Sequence, residues 1–239
     1  MKQPFDERST MSKVSPIVFA VGDSLGTALQ LVIRRAGYTW RSHATMESFL
    51  ASQRPLAPSC LLLEIGHPDL ARFDLVRRAT AERRDTPVIV TAIRGDVSMS
   101  VQAMKAGAME FFIKPVSDED LLTAIAQGVA CSRALLEEEA ELFALRRRYV
   151  TLSRRERDVM SRVVAGRLNK QIGVALGISE ITVKAHRGKM MRKMRAESLA
   201  ALVSMSIRLQ LPQPPSSTVP ALTAVGVGAS TWSLTAAVI

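Results

Sequence analysis

Four short apolar runs alternate with helix-patterned stretches over the first half of this 239-residue chain. The runs fall at 17–21, 60–65, 87–93 and 109–113, with a weaker fifth at 39–42. Residues 27–36 set Leu29, Val32 and Ile33 on one helical face and stop at Gly37; further helical stretches fall at about 45–53, 70–83 and 96–106. Buried strands alternating with helices predict βαβ units and a parallel sheet. Residues 1–15 are polar and are expected to be loose.

A long helix is expected from Asp118, where Ser117, Asp118, Glu119 and Asp120 suit a helix N-terminus. Two apolar rows follow at heptad spacing: Leu121, Gly128, Leu135, Leu142 and Tyr149, and Leu122, Val129, Leu136 and Phe143. Such rows fit a dimer seam. They equally fit a helix whose first half packs on its own sheet and whose remainder is a solvated linker; Gly128 and the acidic cluster at 137–141 speak against the seam.

Beyond residue 150 the strand signals stop and the charge changes. Residues 1–150 hold 19 Lys/Arg and 18 Asp/Glu, a net of +1, whereas residues 151–239 hold 13 against 4, a net of +9. A basic module joined to a neutral one points to nucleic acid before an anionic membrane. Ser153 and Glu156 have capping-box spacing ahead of Val159, Met160, Val163 and Val164, and Gly166 ends that helix. Asn169 is expected to cap a second helix reaching Leu176, Gly177 and Ile178 to form a tight turn, and Ser179 to cap a third helix over 180–194. A fourth should cover 197–209. This is the outline of a helix-turn-helix. In the third helix Ile181, Met190 and Met194 are expected to face a core. Lys184, Arg187, Lys189, Arg192 and Lys193 make the rest basic. Such a face suits phosphates, and its N-terminal half suits base edges.

The stretch LSRRERDVMSRVVAGRLNKQIGVALGISEITVKAHRGKMMRKM resembles the LuxR-type DNA-binding domain of FixJ/NarL response regulators, through Glu156, Gly166, Asn169, Lys170, Ile172, Val183, Lys184 and His186. The resemblance implies DNA contact by Lys184, Arg187 and Lys189, with Lys170, Ser179 and Thr182 around them. It places His186 in packing or phosphate contact. Gly173 departs from the pattern and should cost roughly 0.5–1 kcal/mol relative to Ala. Gly188 offers no side chain to a base.

Residues 16–130 resemble a receiver domain of the same class, a flavodoxin-like fold with five parallel strands. DVSMSVQAMKAGAMEFFIKP carries the match through Lys114-Pro115, and Phe111 takes the place of the family's switch aromatic or of an ordinary core ring. The resemblance also exposes losses. The two acidic residues that hold magnesium correspond to Gly22 and Asp23. The phospho-accepting aspartate corresponds to Glu64, with Pro68 four residues on. The hydroxyl residue after the fourth strand corresponds to Ala92, counted from Pro87, with Thr91 one step off and facing away. A family glycine is replaced by Arg72. Phosphoryl transfer depends on in-line positioning and charge neutralisation. A carboxylate one methylene longer, one metal ligand fewer and no hydroxyl argue against it. Glu64 should instead form a standing ion pair with Lys114.

These readings describe an α/β receiver-like domain (16–130), a helical linker (131–149), a small all-α four-helix helix-turn-helix domain (150–210) and an uncharged, disordered tail (211–239). The last 21 residues are long enough to span a bilayer, but their Ser, Thr, Gly and Pro content argues against it. The expected protein is a cytoplasmic transcriptional regulator acting without phosphorylation. Its partners would be double-stranded DNA, a second copy of itself and RNA polymerase. The rivals are a conventional phosphorelay regulator and a partner-binding scaffold with residual DNA binding; a sensor kinase partner is left open. No cofactor is expected beyond a weak or absent Mg2+ site at Asp23. Two cysteines, Cys60 and Cys131, make neither a zinc site nor a disulfide framework, and three scattered histidines offer no hydrolytic constellation. Catalysis is not expected.

Overall fold

The computed structural model of the chain describes residues 14–22, 25–65 and 71–211. The expectations for the loose N-terminus, Asp23, Pro68 and the tail therefore lie outside the described residues, apart from positions 14, 15 and 211. Two compact units divide between Ala144 and Leu145.

The first unit holds strands β1 (Ile17–Val21), β2 (Thr39–His43), β3 (Ser59–Ile65), β4 (Val88–Ala92) and β5 (Glu110–Ile113). They form one sheet in the order β2-β1-β3-β4-β5, with every pairing parallel. Helices α1 (Thr27–Arg35), α2 (Met46–Ala51), α3 (Ala71–Glu82), α4 (Val97–Lys105) and the start of α5 (Asp118–Val150) alternate with them. Successive side chains of a strand point to opposite faces. Phe19, Leu61, Leu63, Val88 and Val90 accordingly bury one face under Met46, Phe49, Phe73, Val76 and Ala103. Val18, Ala20, Cys60, Leu62 and Ile89 bury the other under Ile33, Leu121, Ile125 and Val129. Cover on both faces is why β1, β3 and β4 read as unbroken apolar runs.

The first half of α5 packs on the sheet. Gly128, expected to weaken a seam, is the point of closest approach: a Cβ there would lie 3.1 Å from Cys60 Cβ. One turn on, Ser132 is buried; its Oγ accepts the Ser59 N–H at 2.9 Å and donates to the Asp85 carbonyl. Leu135 and Phe143 are exposed. Both cysteines are free. Cys60 is buried, and that burial pushes its thiol up to about 12, whereas Cys131 is exposed despite its apolar neighbours in sequence.

In the second unit, α6 (Arg154–Val164), α7 (Asn169–Leu176), α8 (Glu180–Met194) and α9 (Leu199–Arg208) enclose a core of Leu152, Val159, Met160, Val163, Ile172, Val183, Met190, Met194 and Leu202. The capping box at α6 is present: Ser153 Oγ accepts the Glu156 N–H, and the Glu156 carboxylate accepts the Ser153 N–H at 2.8 Å. Asn169 does not cap α7. Leu168 holds that position, its N–H donating to Gln171 Oε1 at 3.0 Å, while Asn169 is the first helical residue and its side chain serves elsewhere.

Candidate functional site

The receiver pocket lies at the C-terminal ends of the strands. Glu64, near the end of β3, is buried, and its Oε1 receives an ion-paired hydrogen bond from Lys114 Nζ just past β5. The glutamate side chain is 3% exposed and the lysine side chain 30%. Lys114 is joined to Pro115 by a cis peptide.

Gly22 follows β1 with φ +142°. A Cβ on it would meet Glu64 Cβ at 2.7 Å and Glu64 Oε2 at 3.3 Å. A side chain at 22 would therefore collide first with the Cβ of residue 64 and next with its carboxylate.

The faces expected for Thr91 and Ala92 need correction. The β3–β4 register sets Glu64 beside Thr91 and Ile65 beside Ala92. Ala92 is fully buried in the core with Ile65 and Val90. Paired residues of parallel strands share a face, so Thr91, not Ala92, stands on the Glu64 side. Its hydroxyl is buried and has no hydrogen-bond partner among the described residues. Counting from Pro87 located the strand but not its register against β3. Phe111 is half-buried against the core, beside Gly95.

Magnesium needs several oxygen ligands in near-octahedral array. Among the described residues no group of three or more His, Cys, Asp or Glu could hold a metal ion. Glu64 is committed to an ammonium, and position 22 has neither a carboxylate nor room for one. These residues do not fit the ion; Asp23 and the side chain of Arg72 are not among those described.

In the second unit the helix-turn-helix is α7, a turn and α8. Gly177 turns the chain with φ +65°, and the Ile178 N–H closes back on the Gly173 carbonyl at 3.0 Å. Gly173 is no defect: a Cβ there would lie 2.8 Å from the Ile178 carbonyl oxygen. Ser179 caps α8, its Oγ accepting the Thr182 N–H at 3.1 Å and sharing a 2.8 Å contact with the Thr182 hydroxyl.

The core side of α8 is Val183, Met190 and Met194, all fully buried. Ile181, expected there, is 79% exposed. At 3.6 residues per turn it lies about 160° around the helix from Val183. Two residues of the expected basic face, one of them the expected DNA contact Arg187, are also engaged within the protein. Arg187 is half-buried, its Nη1 donating to Asn169 Oδ1 at 3.2 Å, so it bridges α7 and α8. Lys193 donates to Glu156 Oε2 at 2.6 Å and to the Thr151 carbonyl at 3.1 Å. Lys170, Lys184, Lys189 and Arg192 are exposed, Lys184 pairing with Glu180 at 3.2 Å. His186 is half-buried. The structural use of Lys193 was missed because its partner lies 37 residues away and the capping box already accounted for Glu156.

Comparison with known proteins agrees with this division. Residues 23–126 match the family described as response regulator receiver domain, and residues 150–206 match bacterial regulatory proteins of the luxR family. The chain belongs to the response regulators that join a receiver domain to a LuxR-family DNA-binding domain. It is 34% identical over 205 residues to the response regulator protein TmoT of Ectopseudomonas mendocina, covering 85% of this chain and 93% of that protein. It is 38% identical over 183 residues to the transcriptional regulatory protein FixJ of Rhizobium meliloti, covering 75% and 88%. The solved structure of the response regulator StyR superposes with a TM-score of 0.69 at 34% identity, covering 82% of this chain and all of that one. Among the described residues no helix is long and apolar enough to cross a membrane.

Proposed function

We propose that this response regulator binds double-stranded DNA as a dimer, regulates transcription through RNA polymerase, and has its state set without phosphorylation. The observation that carries the last point is the Glu64–Lys114 pair, with Gly22 lying against the glutamate. In phosphoryl transfer the lysine neutralises charge on the incoming group and the metal clamps it. Here the lysine already neutralises a carboxylate of the protein itself. The nucleophilic position is a methylene longer than the family's aspartate. Misplacement by about an ångström can alone cost ~100-fold. The receiver then serves as a fixed platform, over residues 16–130, for the DNA-binding domain at 150–210, with 131–149 between them.

The test compares DNA binding by the full-length wild type and Glu64→Gln, with and without acetyl phosphate. The glutamine keeps the volume and removes the charge. A change in affinity or oligomeric state that is the same in both conditions supports the proposal. A wild type that gains affinity and an acid-labile phosphoryl group with acetyl phosphate restores a conventional phosphorelay.

A further inference from the structure

We infer that Ile181 reads the 5-methyl group of a thymine in the DNA major groove, an inference that rests on the DNA-binding reading above. Ile181 is 79% exposed in a helix whose other large apolar side chains all meet the core, Val183, Met190 and Met194 fully buried and Met191 half-buried against it. A β-branched residue is only a moderate helix former. Its side chain here touches no core, so neither propensity nor packing accounts for it.

Its surroundings indicate what it meets. Measured around α8 from Val183, Ile181, Ala185, Gly188 and Arg192 all fall within about 40° of the opposite side, while Lys184 and Lys189 flank them at about 100° and 120°. Between Ile181 and Arg192 the strip is nearly flat: Ala185 is exposed, and a Cβ built on Gly188 would meet no atom within 4 Å. A flat strip flanked by cations suits close approach to a groove walled by phosphates. Within that groove the thymine methyl is the apolar feature, and it is read by apolar contact. The polar side chains at the N-terminal end of α8 have partners already, Ser179 with Thr182 and Glu180 with Lys184. Ile181 projects among them, in the part of the helix that reaches base edges.

The test uses the full-length chain and double-stranded DNA selected by it from a random library. Each thymine of the selected site is then replaced singly by deoxyuridine, which removes only the methyl. Wild type should bind about fourfold more weakly at one such position, the worth of one buried methyl. Ile181→Ala should bind the thymine and uracil versions equally, with a thermal melt unchanged from wild type because the side chain is exposed. Indifference of the wild type to every replacement, as expected if Ile181 docks a protein instead, overturns the inference. So does an Ile181→Ala variant that keeps the same sensitivity. Failure of the wild type to enrich any sequence is a different result, and overturns the DNA-binding reading itself.

Discussion

Lys193 Nζ lies 2.6 Å from Oε2 of Glu156, the carboxylate oxygen that also accepts the Ser153 N–H at 2.8 Å. One buried carboxylate thus completes the N-terminus of α6 and anchors the last turn of α8. Burial pushes the Glu156 carboxyl up, but the hydrogen bonds from Lys193 and Ser153 and the charge of Lys193 outweigh it and hold the group below its ordinary value. A carboxylate held low in the folded state contributes stability above its unfolded pKa, about 4.3. That contribution is lost as pH falls from there through the lower folded value. Urea melts of the full-length protein between pH 6 and 3 should show the DNA-binding unit losing stability over that window. Glu156→Gln should flatten the loss; an unchanged acid limb in the variant would contradict this role.

Lys114→Met should destabilise the receiver unit by at most roughly 3–5 kcal/mol, because it removes the ammonium that neutralises the buried carboxylate of Glu64. Adding Glu64→Gln should recover most of that loss. Denaturant melts of the two single variants and the double variant form a cycle whose coupling measures the pair. Additive losses would mean that the ion pair contributes nothing.

Gly173→Ala carries a prediction of sign. In an ordinary helix interior the change stabilises by about 0.8–1.0 kcal/mol. Here the new methyl would press on the Ile178 carbonyl oxygen at 2.8 Å, so a loss of about 1–3 kcal/mol is expected. Weaker DNA binding should accompany it, because the same turn aims α8. A variant more stable than wild type would show that the turn yields freely.

Lys184→Ala should weaken binding to a selected DNA site by roughly 1–3 kcal/mol if its ammonium reaches a base edge, with a smaller effect on random DNA. Equal losses on both, together with a salt slope reduced by about one, would assign it to phosphate. Arg187→Ala should instead lower thermal stability, since its guanidinium joins α7 to α8 through Asn169. An Arg187→Ala protein with an unchanged melt but weakened binding would move that residue into the interface.

The sequence was most readable where burial is symmetric. β1, β3 and β4 have both faces covered and appear as unbroken apolar runs, whereas the edge strand β2 keeps only Trp40 buried and left a fainter trace. Local chemistry was also readable: Ser153, Glu156, Gly177 and Ser179 act on neighbours within a few residues. Contacts between distant segments were not. Thr91 and Ala92 exchange places relative to the expectation because the β3–β4 register is set across the sheet. Ile181 was expected on the inner face of α8 and is exposed, with Val183 buried there, because apolar residues are spread around the helix and periodicity leaves its inner face undetermined. Gly173 looked like a cost because the backbone that needs it arrives from beyond the turn.

The close approach of Gly22 to residue 64 also bears on sequence change. A Cβ at 22 would overlap the Cβ of residue 64 at 2.7 Å, an atom that aspartate and glutamate share, on a backbone at φ +142°. Shortening residue 64 therefore does not by itself make room for a carboxylate at 22; the chain leaving β1 must take another path as well. Return to a metal-binding pocket is a change of backbone as much as of side chains, and a homologue with an acidic residue at 22 should be read for a different turn after β1.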